Sequence, residues 1–110
     1  MRRAAILVAL LLPVGCGPRA EDQAARGERI AQERCAACHA VGRTGASPRA
    51  GAPAFRDLHR RYPVEQLAES LAEGIVTGHP DMPEQSFDRA EVEALIAHLR
   101  SLEGPGAGGR

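Results

Sequence analysis

Two cysteines three positions apart, followed directly by a histidine, constrain this 110-residue chain more than any other feature in it. The run is Cys35-Ala36-Ala37-Cys38-His39. At the end of a helix, that spacing puts both sulfurs on one side of the backbone with the imidazole beside them. Ala36 and Ala37 let the backbone pass close to a flat, bulky group. Cys-x-x-Cys-His is the attachment signature of a c-type haem, in which the sulfurs bond to the vinyl groups and the histidine reaches the iron. Three other chemistries compete for these residues, and each lacks something. A redox-active Cys-x-x-Cys follows a strand in a βαβ setting, and no strand-like alternation is found. A structural zinc ion needs four ligands; here they would be Cys35, Cys38 and two of His59, His79 and His98, at irregular spacings. A disulfide between Cys35 and Cys38 accounts for neither His39 nor the methionine downstream.

The first fifteen residues stand apart. Met1-Arg2-Arg3 is a short basic start, residues 4–12 form an almost unbroken apolar run, and Pro13 ends it. This is the pattern of a secretory signal over residues 1–15. The run is too short to span a bilayer, which takes about 20 apolar residues. The protein is therefore expected to be exported, with the periplasm as its compartment. Val14-Gly15-Cys16 resembles the end of a bacterial lipobox, with Pro13 where that pattern usually has Leu. Two outcomes stay open: a free domain, or one tethered to a membrane surface through a lipidated Cys16. Residues 16–23 read as a polar linker.

Roughly 85 to 95 residues remain after the signal, enough for only a small core. The aromatic residues are Phe55, Tyr62 and Phe87, with no Trp. Domains this small and this poor in large side chains commonly recruit a metal, disulfides or a cofactor, and a haem would supply the missing apolar bulk. All fourteen basic residues are Arg. Without Arg2 and Arg3, twelve face fourteen acidic side chains, a formal balance of −2. That balance carries no basic stripe of the kind a nucleic-acid binder needs.

The apolar pattern predicts an all-α chain of three main helices with long loops. A first helix is expected over residues 24–35, with Ile30 and Ala31 facing inward. Residues 42–53, rich in Gly, Pro, Ser and Ala, read as a loop. A second helix is expected over residues 62–74, with Pro63 in its first turn, Leu67 and Leu71 on one face and Gly74 closing it in the left-handed conformation. Residues 77–87 form another loop. The last helix has Asp88 as its N-cap, with Glu91 completing a capping box. Val92, Leu95, Ile96 and Leu99 make its apolar stripe, and Gly104-Pro105 ends it. The tail at 105–110 is expected to be flexible.

Met1 leaves with the signal, so Met82 is the remaining methionine. It lies in Gly78-His79-Pro80-Asp81-Met82-Pro83, just before the last helix. A thioether is a soft, neutral axial ligand that raises the potential of a haem, and flanking prolines restrict the backbone that presents it. His79 is the alternative ligand, although Pro80 turns its imidazole outward. His59, beside Arg60 and Arg61, reads as part of a solvated face. Arg43, Arg49 and Arg56 are candidate partners for haem propionates.

With these residues in this order, the chain resembles a bacterial class I cytochrome c of the small mono-haem kind, over about residues 24–102. The resemblance implies a cytochrome c fold wrapped around one covalent haem c, within a domain over residues 24–104. It implies His39 and Met82 as the two iron ligands, and Pro53 as the residue whose carbonyl holds the other imidazole nitrogen. It also implies that Gly27 allows a close crossing of the first and last helices near Ile96. His98 stands where relatives often carry Tyr, and half-buried packing is expected of it. The function implied is one-electron transfer by a monomer between a donor and an acceptor protein, without enzymatic turnover. A haem-based sensor or peroxidase-like enzyme, with a labile or absent methionine ligand, is the alternative.

Overall fold

The computed structural model describes residues 8–11, 19–74 and 81–104. Most of the expected signal segment, Cys16, His79 and the tail at 105–110 lie outside the described residues. Within them the protein is all-helical, with no strand. Its elements are α1 (Ala20–Arg34), a 3₁₀ segment at Phe55–Arg60, a 3₁₀ turn at Val64–Gln66, α2 (Leu67–Glu73) and α3 (Arg89–Ser101).

α1 begins four residues earlier than its apolar pattern suggested, so residues 20–23 are helical rather than linker. The first turn is solvent-exposed or nearly so and therefore carries no apolar periodicity. Glu21 and Asp22 stabilise it against the positive end of the helix dipole. Gly27, Ile30 and Ala31 form the buried stripe.

The expected second helix is split. Pro63 caps the short 3₁₀ turn rather than sitting inside an α-helical first turn, and α2 proper runs only from Leu67 to Glu73. Leu71 is buried and Leu67 is half-buried. Gly74 closes the helix at φ 102°, ψ 126°. The φ is positive, as expected, but the ψ lies outside the left-handed helical basin.

α3 carries the capping box: the Glu91 N–H donates to Asp88 Oδ1 at 2.8 Å, and the Asp88 N–H donates to Glu91 Oε2 at 2.9 Å. Its buried face is Val92, Ala94, Leu95, His98 and Leu99, with Ile96 half-buried. That face is turned toward Ala94 and His98 because α1 crosses there. A Cβ built on Gly27 would lie 1.9 Å from the Ala94 carbonyl oxygen and 2.9 Å from His98 Cβ. The close crossing is therefore centred on Ala94 and His98 rather than on Ile96. α3 ends at Ser101, before the Gly104-Pro105 pair.

The core has two connected parts. One gathers Ile30, Ala31, Val41, Leu71, Phe87, Val92, Ala94 and Leu95. The other gathers Leu58, Val64 and Leu99. Half-buried Phe55, Leu67 and Ile96 pack against both.

His98 is 3% exposed, more deeply buried than expected. Its Nε2 lies 2.7 Å from the Val41 carbonyl oxygen. A carbonyl only accepts, so Nε2 carries the proton and donates. The bond pins the chain leaving the Cys-x-x-Cys-His motif to the last helix. His98→Leu removes the donor and strands a carbonyl, at a cost of about 1–3 kcal/mol. We expect a lower midpoint of denaturant unfolding with an unchanged m-value, whereas an unaltered midpoint would show that the bond contributes nothing.

Candidate haem-attachment site

The Cys-x-x-Cys-His segment leaves α1 as a tight turn. The Cys35 and Ala36 N–H groups both donate to the Ala31 carbonyl, at 2.8 and 3.1 Å. The Cys38 and His39 N–H groups both donate to the Cys35 carbonyl, at 3.2 and 2.9 Å. Repeated use of two carbonyls holds the five residues compact, and both cysteines are free thiols, half-buried. Burial pushes the Cys35 thiol up from its ordinary pKa, and the Arg34 guanidinium partly opposes this.

His39 is fixed from behind. Its Nδ1 lies 2.8 Å from the Pro53 carbonyl oxygen, so Nδ1 carries the proton and Nε2 keeps a free lone pair. Such a bond sets the tautomer, orients the ring and makes it a better metal ligand. The Phe55 ring packs beside it, centroids 5.1 Å apart and tilted by 43°. The loop that brings Pro53 back is anchored at several points. The Arg49 N–H donates to the Cys38 carbonyl at 3.1 Å, the Phe55 N–H donates to the Ala40 carbonyl at 2.9 Å, and Ser47 Oγ accepts from the Ala40 N–H at 3.0 Å.

Met82 is half-buried, in a segment tied to the same motif on both sides. Upstream, Asp81 pairs with Arg49 at 2.7 Å, and Arg49 is the residue whose N–H holds the Cys38 carbonyl. Downstream, Gln85 Nε2 donates to the Arg34 carbonyl at 2.8 Å. The Arg34 side chain donates to the Ser86 carbonyl at 3.1 Å and lies over the Phe87 ring, 3.9 Å from its centroid. The structure thus brings Cys35, Cys38, His39 and Pro53 into one locality and ties the Met82 segment to it.

These residues suit a c-type haem. Two unpaired thiols share one turn, an imidazole presents a free Nε2, and a soft thioether sits in a tethered segment. Other sequence candidates lie elsewhere. Arg43, Arg56 and half-buried His59 line an open cleft with Arg60, Leu102 and Gly104, and Arg49 is engaged with Asp81. Among the described residues, no three His, Cys, Asp or Glu side chains gather as a metal cluster, and no helix is long and apolar enough to cross a membrane. Sequence reasoning missed the roles of Arg34, Arg49 and Gln85. Arg34 stands directly before Cys35, but nothing local marks its contacts with residues more than fifty positions away.

The chain is 34% identical over 99 residues to a Cytochrome c oxidase subunit 2 of Alkalihalophilus pseudofirmus, a match covering 76% of this chain and 27% of that longer protein. No solved structure matches the chain at a significant level. The Cytochrome c family model matches residues 24–103, from within α1 to just beyond α3. Match, helical architecture and attachment motif coincide over that range, and the chain belongs to the cytochrome c family.

Proposed function

We propose that the protein is a one-electron carrier built on a single covalent haem c, with His39 and Met82 as axial ligands, passing electrons between redox proteins outside the cytoplasm. The observation that carries this reading is the His39 Nδ1–H bond to the Pro53 carbonyl. It commits the imidazole to the tautomer in which Nε2 binds a metal, and the two free thiols stand beside it. When bound, the haem supplies a ferric/ferrous couple.

The chain's own residues do the rest. Cys35 and Cys38 make the group permanent, so it survives in a compartment where it cannot be replaced from the cytosol. The carbonyl of Pro53 orients His39 and strengthens it as a donor. The Phe55 ring packs beside His39 and covers one side of the imidazole. Met82 would supply a neutral sulfur as the second protein ligand, which would raise the potential of the bound haem. With His39 and Met82 both engaged, no position would remain for a substrate. Ala37, beside Cys38, is exposed, and electrons would pass there.

Two things support a setting among respiratory partners: the likeness to an oxidase subunit and the signal-like start of the chain. Processing before Cys16 would leave the domain free in the periplasm or tethered by a lipid. The test is an optical spectrum of the protein made with c-type haem attachment machinery. We expect covalent haem, a weak far-red sulfur-to-ferric band, and no carbon monoxide binding to the reduced resting protein. A colourless product would sink the haem reading. Covalent haem that lacks the band and binds carbon monoxide would replace the carrier with a sensor or peroxidase-like protein.

A further inference from the structure

The Met82 segment is held by two ties of unequal quality, and the better one converges on a residue to which the proposed function gives no role. Arg34 is the last residue of α1, directly before Cys35. Its carbonyl accepts from Gln85 at 2.8 Å, its guanidinium donates to the Ser86 carbonyl at 3.1 Å, and the same guanidinium stacks on the buried Phe87 ring. A planar guanidinium is suited to do both at once, stacking through its face and donating from its edge. The Glu91 carboxylate, 3.9 Å from Arg34 Nη1, adds little at that distance. The side chains of Arg34 and Glu91 are 35% and 29% exposed, so the cluster is partly screened from water. By contrast, the upstream tie between Arg49 and Asp81 has side chains 49% and 69% exposed, where ion pairs contribute little.

We propose that Arg34 is a positioning residue that holds the Met82 segment closed, and so decides whether the sixth coordination position is occupied by the protein or opens to an outside ligand. This rests on Met82 being the axial ligand. The coupling is direct: residues 82 and 85 to 87 form one short stretch, and Arg34 fastens its far end to the turn that carries Cys35 and Cys38. Loss of the guanidinium leaves the Gln85 bond to the Arg34 carbonyl in place but removes the Ser86 bond and the Phe87 stack. The closed form of the segment then becomes less favoured relative to the open form. An external ligand that competes with Met82 gains affinity in proportion, because its apparent affinity scales with the fraction of open segment.

The experiment is a titration of the ferric holoprotein with imidazole, comparing wild type, Arg34→Ala, Arg34→Lys, Gln85→Leu and Met82→Ala. Covalent attachment is checked in each by the reduced pyridine adduct. One hydrogen bond and one partly screened cation–π contact together correspond to about a tenfold gain in imidazole affinity for Arg34→Ala. The far-red band should weaken in step. Arg34→Lys keeps the charge and part of the ring contact but loses the fork, and it should fall between wild type and Arg34→Ala. That intermediate value separates holding the segment from a simple change of charge beside the haem, for which Lys would restore wild-type behaviour. Gln85→Leu breaks the neighbouring bond independently and should gain about fivefold, keeping the test open if Arg34→Ala fails to fold.

Imidazole affinities within twofold of wild type in both Arg34→Ala and Gln85→Leu would overturn the proposal while leaving a His39/Met82 carrier intact. A wild type that binds imidazole as tightly as Met82→Ala, without the far-red band, would overturn the axial assignment itself, and the proposal with it.

Discussion

Replacing Gly27 with alanine should cost more stability than the same change at any other described glycine, despite improving local helix propensity. Alanine gains up to about 1 kcal/mol over glycine inside a helix. Here, however, the added Cβ would lie 1.9 Å from the Ala94 carbonyl oxygen and 2.5 Å from its carbonyl carbon. Both atoms belong to the α3 backbone, so no side-chain rotation relieves the overlap. The two helices would have to part by more than an ångström at their crossing. That loosens Ile30, Ala31 and Leu95 and the bond from His98 to Val41. Overpacking typically costs about 1–3 kcal/mol, and a backbone clash belongs at or above the top of that range, so the loss after the propensity gain is at least about 2 kcal/mol. For a domain of this size, each kcal/mol shifts the melting temperature by roughly 4–8 °C, giving a drop of at least about 8 °C. The check is thermal unfolding of the holoprotein followed by circular dichroism. A melting temperature within a few degrees of wild type would mean that the helices do not cross this closely.

Met82→Ala should have the largest effect on the redox properties and little on attachment. Cys35, Cys38 and His39 are untouched, so covalent haem is expected at wild-type yield. Removing the thioether takes away the ligand that favours the ferrous state. Axial ligand choice moves haem potentials over about 0.8 V, so a fall of at least about 0.1 V is expected. The far-red band should vanish, and the reduced protein should bind carbon monoxide. Potentiometric titration with optical detection reads all three. A variant that keeps the wild-type potential, in a protein whose wild type shows no far-red band, would point to a nitrogen sixth ligand, with His79 the first to replace in turn.

Much of the site is legible in the sequence because it is local. Cys35, Cys38 and His39 lie within five residues, and the geometry that makes them a candidate haem-attachment turn is that of one helix end. Asp88 and Glu91 announce a capping box for the same reason: both bonds close within four residues. Errors arise where local pattern and tertiary environment part company. The first turn of α1 is polar and mostly exposed, so apolar periodicity does not register it, and Glu21 and Asp22 are read as linker. Phe55–Arg60 forms a 3₁₀ segment because Leu58 is drawn into the core beside Val64 and Leu99; nothing in those six residues alone demands it. His98 reads as half-buried packing because its hydrogen-bond partner, Val41, is 57 residues away.

By itself, the sequence determined the class of cofactor and the all-helical architecture, since both follow from spacings shorter than one or two helical turns. It also put forward Met82 as the methionine proposed here for the sixth position. Only the tertiary structure decided which carbonyl orients His39, where α1 and α3 touch, and what ties down the Met82 segment. These are contacts between residues 14 to 71 positions apart. Their partners are chosen by how closely two helix backbones can approach, which is a property of the packed chain and of no single segment. Gly27 marks the boundary between the two kinds of information. The family resemblance marks it as the residue that lets the first and last helices cross closely, and the fold makes its missing Cβ the condition for the crossing.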